Sequence, residues 1–406
     1  MNSIEYIISK NRNDYQRDNF DSFLRKIKFS FDVPSIHITG TNGKGSTATF
    51  LKDIYKANGY KVGLFTSPDD FFEMIKINDT NIDINFVDKV VDEYKKLFDK
   101  FDLSTFEIQT FIAFKWFNDQ KVDLAVIECG MGGAFDATNI FTPILSIITS
   151  ISIEHSDFLG VSLSEIALHK SGIIKDGVPT LIGELEGDAL DVVVNKCKQS
   201  NSKLVVVDHY HHLKSDLGLI FDYRPYYNLK INSSAEYRVM AACLAVEATN
   251  LLQNRFPVNE EKLKQGLLGS KLKCRFEEIK GQPLIILDGA HNPHGINQLR
   301  KEMDKNYSYG NVHIVFASFK DKNIALMLPE IGLIGDITLT TFENGRARGA
   351  DDYFLFLDDY KYENDYKSLI DNLITTYPED IILVTGSLTF TYEVRKYLKQ
   401  KGLINE

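Results

Sequence analysis

The stretch that most constrains this chain is HITGTNGKGST, residues 37–47. Apolar and β-branched residues run into a glycine-rich loop, and beyond Ser46 the apolar positions Phe50, Leu51, Ile54 and Tyr55 recur at helical steps. Strand, glycine loop and helix in that order form the context in which a chain cradles phosphate. Glycines let N–H groups turn inward on an anion, and the helix N-terminus adds partial positive charge. Thr41, Asn42, Gly43, Lys44, Gly45, Ser46 and Thr47 are therefore candidate nucleotide-binding positions. Lys44 has the reach for terminal phosphate oxygens, and Ser46 offers a hydroxyl to Mg2+. The spelling departs from GxxxxGK[ST]: Ile38 stands at the first glycine, and Gly45 separates Lys44 from Ser46. The bland alternative is an ordinary glycine turn between strand and helix.

A chain of 406 residues is long enough for two domains, each with its own core. A net charge of −10 gives no bulk attraction for nucleic acid, though a local basic cluster still suits an anionic small molecule. Cys129, Cys197, Cys243 and Cys274 are scattered without CxxC or zinc spacing, as for free thiols in a reducing compartment. The first residues lack the apolar core of a signal peptide, and no apolar run is long enough to span a bilayer. The chain reads as cytoplasmic, with neither membrane nor nucleic-acid partner.

Taken in order, residues 1–34 hold one or two short helices ending at Pro34. Helix 47–57 stops at Asn58-Gly59, strand 61–66 leads to Ser67-Pro68, and residues 69–78 read as a polar-aromatic loop. Helices follow over 85–101 and 105–118. Strands over 122–129, 144–153, 179–183 and 203–207 then alternate with helices over 162–171 and 188–200. Residues 208–232 read as irregular, and helices over 234–252 and 258–268 close this half. Composition shifts near 269–276, after which strands 284–287, 312–317, 337–342 and 381–385 alternate with helices 295–305, 323–331, 365–376 and 389–400. Such alternation builds parallel sheets, so the predicted fold is α/β in two domains, 1–273 and 274–406.

Glu128 ends an apolar strand just before a glycine turn, at the edge where open α/β sheets bind ligands. With Ser46 it forms an oxygen set suited to Mg2+; a solvated strand-end acid is the plainer alternative. His155, in ISIEHSD, occupies a similar edge and also suits a hydrogen-bonded structural histidine. Lys170 is, on pattern alone, a helix surface charge. His209, His211 and His212 in DHYHH lack acidic or thiol partners at ligand spacing and read as a solvated loop. In the second domain, Arg275 at the junction, Asp288, His291 and Asn292 after a strand, and Ser387 in a Gly-Ser turn put polar groups on one rim.

Taken together, HITGTNGKGST, GLFTSP, STFE, VIECGMGGAFDATNI, SISIEHSDFLG, IALHKSGI, LDGAHNPHG and VTGSLTFTYEVR resemble the folylpolyglutamate synthase/dihydrofolate synthase family of the Mur ligase superfamily. They occur in family order across nearly the whole chain from about residue 35. The resemblance implies an N-terminal P-loop ATPase domain of Mur-ligase type and a smaller C-terminal Rossmann-like α/β domain, with catalysis in the cleft between. It implies an ATP-dependent ligase that joins L-glutamate to a folate- or pteroate-type carboxylate through an acyl phosphate, acting as a monomer. By the same resemblance Lys44 and its loop hold ATP phosphates, while Ser67 and Glu128 hold a first Mg2+. His155 and Lys170 hold a second, with Lys170 carbamylated by CO2, since a carbamate supplies the anionic oxygens that an ammonium lacks. Arg275 and Asp288 resemble nucleotide contacts, His291 and Ser387 catalytic residues, and Thr105, Phe106, Glu107 and Asp136 the substrate-binding segments.

Several positions depart from the family pattern. Asp69 and Asp70 follow Pro68 in place of His-Leu, the loop is about two residues short, and Met74 replaces an Arg. Ala134 stands where Arg is common, and Ala235, Glu236, Val239 and Met240 occupy the HQxxNA helix without its Asn. Cys274 replaces a Gly, and Asn323 ends the DKD triplet. The metal and phosphate set is intact while the organic-substrate set is altered. A different carboxylate acceptor, or a homologue that binds nucleotide without ligating, are the alternatives.

Overall fold

A computed structural model describes residues 2–10, 12, 16–67, 71–207, 210–215, 218–308 and 310–404. The fold is α/β, in two compact units. The first holds residues 1–232 and 238–270, the second residues 233–237 and 271–406.

The first unit is built on an eight-stranded sheet. Six parallel strands lie in the order Val62–Phe65, Leu124–Glu128, Ser35–Thr39, Leu145–Ile148, Thr180–Ile182, Leu204–Val206. Leu124–Glu128, at the centre, is buried at every position, because helices cover both faces of a parallel sheet. On one face Phe23, Phe98, Phe111, Phe114 and Phe117 form an aromatic core, with Phe23 and Phe111 edge to face at 5.0 Å. Each such ring contributes about 1.5–3 kcal/mol by leaving water.

Some expected boundaries move. The helix after the glycine loop begins at Lys44 rather than 47, so the loop's last residues are already helical. Residues 71–77, expected as loop, form the short helix Phe71–Met74 and the strand Ile75–Ile77, antiparallel to Val62–Phe65. Pro68, Asp69 and Asp70 lie outside the described residues. The strand expected over 144–153 covers only Leu145–Ile148. Residues expected as irregular beyond 208 form an antiparallel sheet of His211–Ser215, Gly218–Tyr223 and Tyr226–Ile231. Its alternation is real, since Leu219, Phe221, Tyr223, Leu229 and Ile231 are buried, but histidines and charges between them mask the period. His211 and His212 sit on this sheet, paired with Asp222 and Phe221, while His209 lies outside the described residues.

The second unit carries a six-stranded sheet in the order Arg275–Ile279, Leu284–Asp288, Ile381–Thr385, Val312–Phe316, Asp336–Thr340, Lys361–Glu363. All strands are parallel except the first, an edge strand the sequence pattern did not disclose. No helix among the described residues is long and apolar enough to cross a membrane.

Candidate active site

Strand Ser35–Thr39 runs into Gly40, whose φ of +148° suits only glycine and whose added Cβ would lie 2.0 Å from Thr149 Oγ1. Gly43, at φ +89°, caps helix Lys44–Ala57 without a side-chain hydrogen bond. The first-turn N–H groups of that helix have no acceptor within the helix ladder, the usual basis of an anion site. Lys44 Nζ folds back on this loop, donating to the carbonyls of Gly40 at 2.8 Å and Thr41 at 3.2 Å. Ser46 and Thr47 are buried beneath it.

Parallel pairing places Glu128 beside Ile38, two residues before the loop begins. Glu128 is 4% exposed, and its carboxylate accepts from Ser67 Oγ at 3.1 Å and Ser67 N at 3.3 Å. Three neighbouring strand ends thus bring Gly40, Ser67 and Glu128 to one edge. Lys170, at the end of helix Leu163–Lys170, is 1% exposed and donates to Glu154 Oε1 at 2.8 Å. This contradicts the surface-charge alternative for Lys170. Burial pushes the Glu154 carboxyl up, but the charges of Lys170, Lys44 and His155 outweigh it and hold the group well below the usual carboxylate range. Burial lowers the Lys170 amine, with Glu154 opposing and Lys44 adding to the effect. Lys170 pairs with this carboxylate directly, while Lys44 and His155 act on it through their charge. Glu154 was missed in the sequence, although it directly precedes His155, and it lies in the segment beyond strand Leu145–Ile148. His155 itself takes φ +48°.

Glycines seat Lys170. A Cβ on Gly133 would lie 2.8 Å from the Lys170 carbonyl, and one on Gly172 would lie 2.4 Å from Ala134 Cα. Ala134 N also donates to the His169 carbonyl at 2.8 Å. The small residue at 134 therefore belongs to a close crossing of the glycine turn and the helix end. Arg17, also missed, stands at the N-cap of helix Asp18–Ile27 and donates from Nη1 to the Asn139 carbonyl, just beyond this turn.

The half-buried Ser67 hydroxyl and the buried Glu128 carboxylate, held together, are hard oxygen donors that fit Mg2+. Among the described residues no group of three or more His, Cys, Asp and Glu gathers as a metal site. The Lys170 ammonium donates and cannot ligate, so only a modified Lys170 fits a second ion.

The substrate-segment residues already serve the fold. Thr105 Oγ1 lies 2.8 Å from the Ile7 carbonyl and 2.7 Å from the Lys10 carbonyl, either of which can accept its one proton. Glu107 completes a capping box with Ser104 and lies 3.5 Å from Arg12 Nη2. Phe106 stacks on Phe65 at 5.7 Å and covers Gly130. Asp136 is buried and accepts from Met131 N at 2.8 Å and Thr138 N at 3.0 Å. Met74 is core, 3% exposed.

In the second unit Asp288 accepts from Tyr237 Oη at 2.7 Å, Phe276 N at 2.8 Å and Ala290 N at 2.9 Å. His291 Nδ1 lies 2.8 Å from the Gly289 carbonyl. Asn292 caps helix Pro293–Tyr307, and buried Ser387 caps helix Leu388–Gln400. Arg275 lies on the edge strand between Cys274 and Phe276, both at positive φ. Cys274 thus adopts, at φ +54°, a conformation that glycine takes without cost. Glu236 N donates to Glu302 Oε1 at 2.8 Å, and Glu236 also pairs with Lys305.

A lysine-bearing glycine loop lies beside a strand-end carboxylate, on an α/β unit followed by a second, and the family models that match the chain are those of the Mur ligases. The Mur ligase middle domain model matches residues 38–217, and the Mur ligase glutamate ligase domain model matches residues 274–388. The chain is 30% identical over 383 residues to the folylpolyglutamate synthase of Lacticaseibacillus casei, covering 89% of each chain. It is 30% identical over 390 residues to the dihydrofolate synthase/folylpolyglutamate synthase of Bacillus subtilis, covering 90% of this chain and 91% of that one. A solved FPGS–AMPPCP–folate complex superposes with a TM-score of 0.86 at 28% identity, covering 98% of this chain and 100% of that one. The chain belongs to the folylpolyglutamate synthase/dihydrofolate synthase family.

Proposed function

We propose that the chain is an ATP-dependent carboxylate–amine ligase that joins L-glutamate to a folate- or pteroate-type acceptor. The observation that carries this reading is the glycine loop of residues 40–46 next to the Ser67–Glu128 pair and the buried Lys170. The family resemblance supports it, and so does the solved relative named as an AMPPCP–folate complex.

In this reading Lys44 leaves its loop carbonyls for the terminal phosphates of ATP. An acceptor carboxylate oxygen attacks the γ-phosphorus, and the bond to the departing ADP oxygen breaks. The glutamate amine then attacks the acyl carbon, phosphate leaves, and the amine proton passes to solvent. The demand is neutralisation between approaching anions, which Lys44 meets from the loop. Ser46, Ser67 and Glu128 would hold a Mg2+ that adds positive charge at the phosphates. His155 and carbamylated Lys170 would hold a second. Thr41, Asn42, Gly43, Gly45, Thr47, Arg275 and Asp288 are proposed nucleotide contacts, His291 and Ser387 catalytic residues, and Thr105, Phe106, Glu107 and Asp136 acceptor contacts. Functional domains over 1–273 and 274–406, a monomeric state and a cytoplasmic location belong to the same proposal.

A phosphate-release assay with saturating Mg-ATP and glutamate, comparing tetrahydrofolate with dihydropteroate, tests it. Turnover with either is expected; turnover with neither removes the folate reading. Met74 packed in the core, where the family carries an Arg, favours a different carboxylate as the second reading. Activity with another carboxylate alone would establish it.

A further inference from the structure

Thr149 N still donates to the Thr39 carbonyl at 2.9 Å, after which residues 150–152 leave the sheet and run across the phosphate loop. Thr41 N donates to the Ser150 carbonyl at 2.8 Å, and Thr41 Oγ1 donates to the Ser152 carbonyl at 3.2 Å while accepting from Ser152 N at 3.0 Å. Asn42 is held through both of its backbone groups. Its N–H donates to Ser150 Oγ at 2.9 Å, and its carbonyl accepts from Ser150 Oγ at 3.0 Å and Thr149 Oγ1 at 2.6 Å. A hydroxyl carries one proton and two lone pairs, so one serine can satisfy both groups of one residue. Thr149 meanwhile packs against Gly40, where no Cβ would fit.

We propose that Ser150 is a positioning residue for nucleotide binding. By taking both backbone groups of Asn42 it sets the curvature of the loop just before the helix. The N–H groups of residues 41 and 42 are thereby spoken for, and those of residues 43–46, at the open end of helix Lys44–Ala57, are left for phosphate oxygens. Neither the glycine motif nor the strand-end rule points to Ser150, since it acts through the loop and not on the ligand. The proposal rests on the reading that this loop binds ATP.

Calorimetric ATP affinity in Mg2+, KM values and the melting temperature without nucleotide are measured on the full chain and on S150C, S150A and S150T. Cysteine is nearly isosteric but a weak hydrogen-bonding group, and threonine keeps the hydroxyl. S150C and S150A are expected to bind ATP roughly tenfold more weakly. KM for ATP rises accordingly, while KM for glutamate and the melting temperature without nucleotide stay at their parent values. S150T keeps parent affinity. Should S150A fail to fold, S150C carries the same comparison. Parent-like affinity in S150C overturns the proposal. So does weakening in S150T equal to that in S150C, or loss of affinity accompanied by a matching fall in melting temperature. A parent chain that binds no ATP removes the loop reading itself, a result distinct from each of these.

Discussion

The pair formed by Glu154 and Lys170 shows what a single residue decides here. Both side chains are nearly dry, at 7% and 1% exposure, so removing one partner leaves a buried charge uncompensated. Glu154→Ala should lower stability by about 3–5 kcal/mol in urea unfolding, whereas Glu154→Gln, which keeps an acceptor for Lys170, should cost less. Lys170→Ala should cripple turnover more than ATP binding, measured by steady-state kinetics against calorimetry; full activity would count against its role at a second ion. His37 lies under the loop, fully buried, with Nε2 2.8 Å from Thr138 Oγ1 and 3.1 Å from Cys129 Sγ. Burial, reinforced by Lys175 and Arg17, pushes its pKa down to about 3. The neutral ring is thus favoured in the fold while the unfolded chain protonates near the ordinary histidine value. Its contribution is full above about pH 6.5 and is lost as pH falls toward about 3, at about 1.4 kcal/mol per pH unit. Unfolding free energy measured at pH 7, 6 and 5 should fall with a slope that steepens toward this value, and His37→Gln should flatten it. Lys44 and Glu128 were legible because a glycine loop and a strand-end acid carry local signatures. Glu154 and His37 became visible only through partners far away in sequence.

Helix Leu163–Lys170 is short, so its propensity alone cannot hold it, and its place depends on what its end touches. Ser162 and Glu165 form a capping box at its start, and the turn of residues 130–134 meets its last carbonyls. Gly172→Ala would drive a methyl into Ala134 and move the segment that carries Lys170. A loss of about 1–3 kcal/mol in stability is expected, with kcat falling more than ATP affinity. An unchanged kcat would show that the crossing does not position Lys170. Helix Thr105–Asp119 was legible from its apolar steps, and its Ser104–Glu107 box follows from the same residues. The antiparallel sheet from His211 to Ile231 was not, because its strands are short and their exposed faces carry histidine, aspartate and lysine. The edge strand Arg275–Ile279 was missed for a related reason, since half-buried glutamates interrupt its alternation.

For the molecule as a whole, ligand binding and stability are linked. Anything that binds only the folded first unit stabilises it, by about 2.7 kcal/mol at a hundredfold excess over Kd. Mg-ATP at that excess should therefore raise the melting temperature of the parent chain, and Lys44→Ala should abolish most of the rise. An equal rise in both would remove Lys44 from the nucleotide site. Two α/β units follow from the order of strands and helices, and both sheets were foreseeable, because apolar strand runs between amphipathic helices have few other ways to leave water. The α/β class, the glycine loop between strand and helix, and the family to which the chain belongs can all be read from the sequence alone. These depend on local periods and contiguous motifs, which a chain carries whatever its neighbours do. Only the tertiary contacts settle that Lys170 is buried against Glu154, that residues 150–152 leave the sheet to hold the loop, and that Asp288 turns to Tyr237 and the backbone around it. Those outcomes rest on a few ångströms between residues distant in sequence, and desolvation and hydrogen bonding act over that distance alone.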